Sequence, residues 1–307
     1  MNRLSPQLWM WICALGFAPT LEASAQDLEA RRWTHLPVDT NIAGVGYGFS
    51  DGELSFDPVL RIENASVEMH TLLATYNRYF SVGDMTARLD VQVPYQRGTW
   101  NGTLNGVPAT VRRDGFGDPR IRLSMDFLGA PPLETEQYLD YIRSNPERTI
   151  AGVGLAVRVP LGEYDDEKLI NLGENRFSFQ PQLGVVQYLG PWSFEATASF
   201  FAYTDNNDFF GGNRLEQDLL YAIQVHVVRT FESGWWVSAG SAYGQGGRMS
   251  INGAAESDVR SNLLYGVSGG VSPTPSQSIS LTYIRHEALS KVGGDFHNLL
   301  LGWAIRF

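Results

Sequence analysis

Apolar and polar residues alternate with period two along most of this chain. In the closing stretch His297–Phe307, Leu299, Leu301, Trp303, Ile305 and Phe307 fall on one side. Asn298, Leu300, Gly302, Ala304 and Arg306 fall on the other. Successive side chains of a strand point to opposite faces, so this stretch predicts a strand with one large apolar face and one mostly small or polar face. Met85–Pro94 repeats the pattern, with Met85, Ala87, Leu89, Val91 and Val93 opposed by Thr86, Arg88, Asp90 and Gln92. Further segments of this kind are Asn41–Ser50, Val67–Phe80, Asp118–Phe127, Thr149–Pro160, Arg176–Tyr188, Trp192–Tyr203, Gln217–Phe231, Trp235–Gly246, Asn262–Val271 and Gln277–His286. About twelve strands of about ten residues, with short connections on one side and longer polar ones on the other, are the signature of a membrane barrel. The connection Gly129–Arg148 differs: Leu133, Tyr138, Leu139 and Ile142 are placed for a short amphipathic helix.

The expectation is an all-β fold: a transmembrane antiparallel up-and-down β-barrel of about twelve strands over 41–307, with a short periplasmic helix between its fourth and fifth strands. A soluble β-sandwich also buries one face of each strand. It does not require an even strand count, an export signal and an apolar last strand together. Closure of the barrel requires Asn41–Ser50 to pair with His297–Phe307. Tryptophans and tyrosines near strand ends, namely Trp192, Trp235, Trp236, Tyr243, Tyr265, Tyr283 and Trp303, suit two interfacial girdles.

The N-terminus lacks the alternation. Arg3, the apolar run Leu8–Ala18 and Ala23-Ser24-Ala25 read as a signal peptide over residues 1–25, cleaved after Ala25, which directs the chain to the cell outer membrane. The single cysteine, Cys13, lies in this leader, so the mature chain can form neither a disulfide framework nor a zinc-thiolate site. Residues 26–40 read as a periplasmic arm, in which Arg31, Arg32 and Trp33 are expected to enter the periplasmic mouth and constrict it. The formal charge of −10 argues against nucleic acid as a partner.

The inward faces hold the candidate chemistry. Arg88, Arg120, Arg122 and Arg158 point to the lumen beside Asp90 and Asp126, with Glu195 and His226 on another part of the wall. Two readings stand: a lattice of opposed charges across neighbouring strands, or a cationic stripe that favours anionic or polarisable solutes. None of the histidines (His35, His70, His226, His286, His297) stands in a hydrolase motif, so no catalytic residue, cofactor or metal is expected. The acidic clusters Tyr164–Glu167 and Asp205–Asp208 lack the spacing of a calcium loop and read as solvated loop charge. Gly302, Ile305 and Phe307 have the C-terminal spacing expected of a signal for the barrel-assembly machinery.

Three stretches carry a family resemblance: Arg31-Arg32-Trp33-Thr34-His35-Leu36-Pro37, Gly115-Phe116-Gly117-Asp118-Pro119-Arg120, and Pro160-Leu161-Gly162-Glu163-Tyr164 with Leu172-Gly173-Glu174-Asn175-Arg176. Through them the chain resembles a family of bacterial outer-membrane proteins named for the meta-pathway of phenol degradation. The resemblance implies a barrel that admits aromatic or other hydrophobic compounds, and supplies no catalytic residues. A more distant analogy is the outer-membrane long-chain fatty-acid transporter, whose N-terminal segment plugs its barrel; the arm here is much shorter. The expected function is a channel for passive uptake of small hydrophobic or aromatic solutes. Its alternative is a non-transporting barrel with a structural, adhesion or receptor role through its outside loops. Expected partners are outer-membrane lipid and lipopolysaccharide, the barrel-assembly machinery and the solute.

Overall fold

The structure, a computed structural model, describes residues 28–55, 62–104, 106–255 and 259–307. The leader proposed for residues 1–25 lies outside the described residues. The strands run β1 (Asn41–Ser55), β2 (Ile62–Val82), β3 (Met85–Leu104), β4 (Val107–Phe116) and β5 (Arg120–Leu128). The helix α1 (Thr135–Ser144) follows. Then come β6 (Glu147–Arg158), β7 (Ser178–Leu189), β8 (Trp192–Tyr203), β9 (Asn206–Phe209), β10 (Asn213–Gln217), β11 (Leu220–Thr230) and β12 (Trp236–Gly246). The last are β13 (Met249–Ile251), β14 (Ala254–Ala255), β15 (Arg260–Thr274), β16 (Gln277–Ala288) and β17 (Gly293–Arg306).

Twelve antiparallel strands close a barrel in the order β1, β2, β3, β5, β6, β7, β8, β11, β12, β15, β16, β17. The first and last strands pair from Ile42↔Arg306 to Ser55↔Gly293. Asn41 and Phe307 exchange backbone hydrogen bonds of 3.1 and 2.9 Å at the seam. Closure removes the free edges that an open sheet would expose. Large apolar side chains cover the outside: on β17, Leu299, Leu301 and Trp303 are each about half exposed, the surface that a hydrocarbon phase solvates.

Tight turns lie at the end where β1 begins and β17 ends. Gly83 and Gly190 take positive φ (57° and 59°) in the β2–β3 and β7–β8 turns, a conformation that glycine adopts without steric cost. The helix α1 lies at this same end. Glu136 in its first turn and Arg143 in its last complement the helix dipole. Asn145 before Pro146 ends it, its N–H donating to the Tyr141 carbonyl. Tyr138 is its buried residue and faces the arm.

At the opposite end the structure adds elements that the alternation does not predict. β3 runs on to Leu104 and pairs with β4, while β9, β10, β13 and β14 form a separate four-stranded sheet. β4 is exposed on both faces over most of its length. It has no apolar side to betray it and is held by its backbone ladder. One girdle residue also differs: Trp236 is buried on the inner face of β12, 5% exposed.

Candidate functional site

The arm lies inside the barrel. Residues 28–36 are buried throughout, with His35 and Leu36 at 0% exposure. Nothing in their sequence makes a regular element, so their backbone groups are satisfied by the wall. The Glu29 N–H donates to Gln224 Oε1 (3.1 Å) and the Arg31 N–H to Glu195 Oε2 (2.7 Å). Tyr79 and Tyr138 donate their hydroxyls to the carbonyls of Thr34 (3.3 Å) and His35 (2.9 Å). Arg31 has φ of 60°, a left-handed conformation that costs a non-glycine residue about 1 kcal/mol. Its carbonyl accepts from Thr34 Oγ1 (2.7 Å), and its guanidinium lies over the Trp236 ring, 5.2 Å from the centroid.

Trp33 has a built seat. Gly152, Gly184 and Thr197 are in register across β6, β7 and β8. The two glycines leave a flat slot for the indole: a Cβ at Gly184 would overlap Trp33 Nε1, and one at Gly152 would come within 2.9 Å of its ring. Thr197 Oγ1 accepts the indole N–H at 2.9 Å.

The arm also completes the charge lattice. Arg122 donates to Asp90 (2.7 Å) and, through both terminal nitrogens, to Glu29 (2.8 and 3.1 Å). Arg88 pairs with Asp90 at 3.0 Å, and Arg32 with Glu29 at 3.2 Å. Burial alone would raise the pKa of Glu29, but the Arg122 and Arg32 guanidiniums reverse this and hold its carboxyl well below the usual range. Breaking such a buried set by removing one partner costs about 3–5 kcal/mol, because the other charge is left unpaired.

His35 anchors the arm to the helix connection. Its Nε2 lies 2.9 Å from the Pro131 carbonyl, which can only accept, so Nε2 carries the proton. Burial, aided by Arg148 and opposed by the Pro131 carbonyl, lowers its pKa from 6.5 to about 4. A released arm would therefore bind a proton more readily than a docked one between these values. Docking is at full strength above about pH 6.5 and weakens as pH falls toward 4, by up to about 3 kcal/mol. Single-channel recordings should show open events becoming more frequent over that window. His35→Gln should weaken the dependence; an unchanged dependence in that variant would assign it elsewhere.

The opposite part of the inner wall carries apolar patches, set among the buried polar residues Thr71, Thr75, His286 and Asn298 of the same strands. Leu73, Leu264, Ile284 and Leu300 face inward on β2, β15, β16 and β17 and pack with Leu28 of the arm. Farther toward the outside end, Val67, Met69, Trp100 and Phe296 form a second apolar cluster. Leu172, from the β6–β7 connection, completes it. That connection folds back onto the barrel. The Asp118 carboxylate accepts the N–H groups of Gly162 and Glu174, both at 2.8 Å, and Glu174 pairs with Arg158 (2.8 Å) and Arg176 (3.1 Å). The stretches Gly115–Arg120, Pro160–Tyr164 and Leu172–Arg176, far apart in sequence, thus meet at one carboxylate.

Of the residues singled out in the sequence, Arg88, Asp90, Arg122, Asp126, Glu195 and His226 are buried on the inner face, and Arg120 and Arg158 are half-buried there. His226 stands in register with Glu195 on β8 and Gly240 on β12. Arg120 stands opposite Arg158, and Asp126 opposite Gly152 beside the Trp33 slot. Arg31, Arg32 and Trp33 sit within the lumen rather than only at its mouth. Sequence reasoning missed Glu29, Glu174 and Arg176 as members of the lattice, and the whole apolar wall. The wall had a signal: Leu72-Leu73, Leu263-Leu264 and Leu299-Leu300-Leu301 place large apolar residues on both faces of a strand. Among the described residues, no group of three or more His, Cys, Asp or Glu side chains is placed to hold a metal ion.

A family model described as "Putative MetA-pathway of phenol degradation" matches residues 56–289. Among solved structures, an outer membrane channel from Pseudomonas putida F1 superposes with a TM-score of 0.77 at 20% identity, covering 91% of this chain and 100% of that one. The β domain of the Bordetella autotransporter Brka gives a TM-score of 0.52 at 10% identity, covering 88% of this chain and 100% of that one. The transport unit of the autotransporter AIDA-I from Escherichia coli gives 0.50 at 9% identity, over 91% and 95% of the two chains. These likenesses are of fold. No curated protein matches the chain in sequence.

Proposed function

Because the chain belongs to this phenol-degradation family of barrel proteins, we propose that it is an outer-membrane channel for passive uptake of small hydrophobic or aromatic solutes. The observation that carries the reading is the apolar wall inside the lumen: Val67, Met69, Leu73, Leu264, Ile284, Phe296 and Leu300 face inward, buried. A general aqueous pore has a polar interior. Here apolar patches on one wall face a charged one, so an arene is desolvated along one side of its path while water and ions are held on the other. The channel from Pseudomonas putida F1 is a likeness of the same kind.

In this reading Arg88, Asp90, Arg120, Arg122, Asp126, Arg158, Glu195 and His226 form the polar wall, and Arg31, Arg32 and Trp33 form the constriction. The protein binds and passes its solute without a catalytic step. Gly302, Ile305 and Phe307 serve assembly, and the outer surface meets lipid and lipopolysaccharide. The test is initial-rate uptake of a labelled neutral aromatic by intact cells, whose lipopolysaccharide layer is the barrier. Deleting the gene should lower uptake several-fold and re-expression should restore it; identical rates in the two strains would overturn the proposal.

A second reading, a non-transporting barrel that works through its outside loops, draws on two features. The arm fills the lumen, and a four-stranded sheet stands beyond the barrel at the outside end. A barrel that stays silent in planar bilayers under all conditions, and whose loss leaves uptake unchanged, would favour it.

A further inference from the structure

We propose that the outside half of the lumen is a binding site for a hydrophobic monocarboxylate of aromatic-acid size, and that the segment Leu172-Gly173-Glu174 is the chain's own imitation of that ligand. The inference deepens the channel reading by naming a solute class for the entry of the same lumen, and rests on that reading for its physiological role.

Two side chains, two residues apart, behave as the two ends of one amphipathic molecule. Leu172 is 9% exposed, packed against Val67, Met69, Trp100 and Phe296. The Glu174 carboxylate bridges Arg158 Nη1 at 2.8 Å and Arg176 Nε at 3.1 Å. Between them is only Gly173, at a bend, and two successive residue steps span at most about 7 Å, within the reach of an arene with a one-carbon acid arm. Arg176 is held in place independently of Glu174. Arg176 donates to Gln217 Oε1 (2.6 Å) and lies over the Tyr203 ring, 4.7 Å from its centroid. A carboxylate that displaces Glu174 therefore meets oriented guanidiniums, whose fork geometry suits it.

Displacement is feasible because the segment is not part of a strand ladder. It hangs on a few bonds: Leu172 and Gly173 donate their N–H groups to the Glu163 carbonyl (3.2 and 3.0 Å), Glu174 donates its own to Asp118 Oδ2 (2.8 Å), and the Glu174 carbonyl accepts from Asn206 Nδ2 (3.1 Å). An incoming acid replaces both the apolar contact of Leu172 and the ion pairs of Glu174, so the exchange is nearly balanced for a molecule that has both ends. Acetate brings only the charge and a neutral arene only the body, so each compensates half of what it displaces.

The test uses the full-length protein in detergent and three probes: phenylacetate, its neutral isostere phenylacetamide, and acetate. Calorimetry should show phenylacetate binding at least about tenfold more tightly than either of the others, the size expected for one charge-assisted pair. Phenylacetate should also speed hydrogen exchange at the amides of residues 172–174. Glu174→Gln removes the internal competitor and should tighten phenylacetate binding about tenfold. Arg158→Met with Arg176→Met should abolish the preference for the acid, with folding checked by heat-modifiability on gels. Equal affinity for acid and amide, or exchange at 172–174 that does not respond to phenylacetate, would overturn the proposal. Binding with these signatures in a protein that conducts nothing would uphold the site and remove the channel.

Discussion

Removal of residues 28–38 should raise single-channel conductance at least about tenfold while leaving the barrel folded. A twelve-stranded barrel encloses more space than its own inward side chains fill, and here the arm takes up that space. Its backbone crosses the lumen between Gln224, Glu195 and Thr197 on one side and Tyr79 and Arg122 on the other. Without the arm, Arg122 keeps Asp90 as its counter-ion and the rest of these groups become hydrated. The β1–β17 seam begins at Asn41 and survives the truncation. Conductance equal to that of the intact chain would mean that the obstruction lies elsewhere, with the inward-folded β6–β7 connection the next structure to examine.

Gly184→Val should unseat Trp33 and loosen the arm around it by a single substitution. A Cβ at this position overlaps the indole nitrogen of Trp33, and no rotamer of valine avoids it. One side has to move. β7 is laddered to β6 and β8 along its length, whereas Trp33 is fixed by one side-chain hydrogen bond and packing. Overpacking of this kind costs about 1–3 kcal/mol, and the weaker side yields. Trypsin should then cut after Arg31 and Arg32, which are buried in the native protein, and conductance should rise toward that of the truncated form. Trp33→Ala should give the same opening from the other partner, and the double variant should add little beyond either alone. Protection of Arg31 and Arg32 in Gly184→Val would show that the slot is not what seats the arm.

Much of the architecture is legible in the sequence because a bilayer imposes a strict condition. Each strand must show lipid an apolar face, so period two runs from Ala43-Val45-Tyr47 to Leu299-Leu301-Trp303, and a closed sheet must join its ends. The inward charges on β3, β5 and β6 follow from the same register. The arm is illegible for the complementary reason: residues that lie against a curved wall from inside answer to no period. Glu29 and Glu174 look like solvated charges until the fold brings them to Arg122, Arg158 and Arg176. The apolar wall was hidden by the rule that revealed the strands, since a reading that assigns large side chains outward has no place for Leu73, Leu264 and Leu300 inside.

That wall is the centre of the functional account, and one comparison tests it most directly. Leu264→Asn with Leu300→Asn places two amides on the apolar strip and removes part of the packing of Leu28, while the charge lattice and the arm's polar anchors keep their residues. Each substitution replaces apolar contact worth about 2 kcal/mol. Initial-rate uptake of a labelled neutral aromatic by intact cells should fall at least about tenfold in the double variant, with uptake of a hydrophilic solute of similar size unchanged. Aromatic uptake that stays at the native rate, or that falls in step with the hydrophilic solute, would contradict the account.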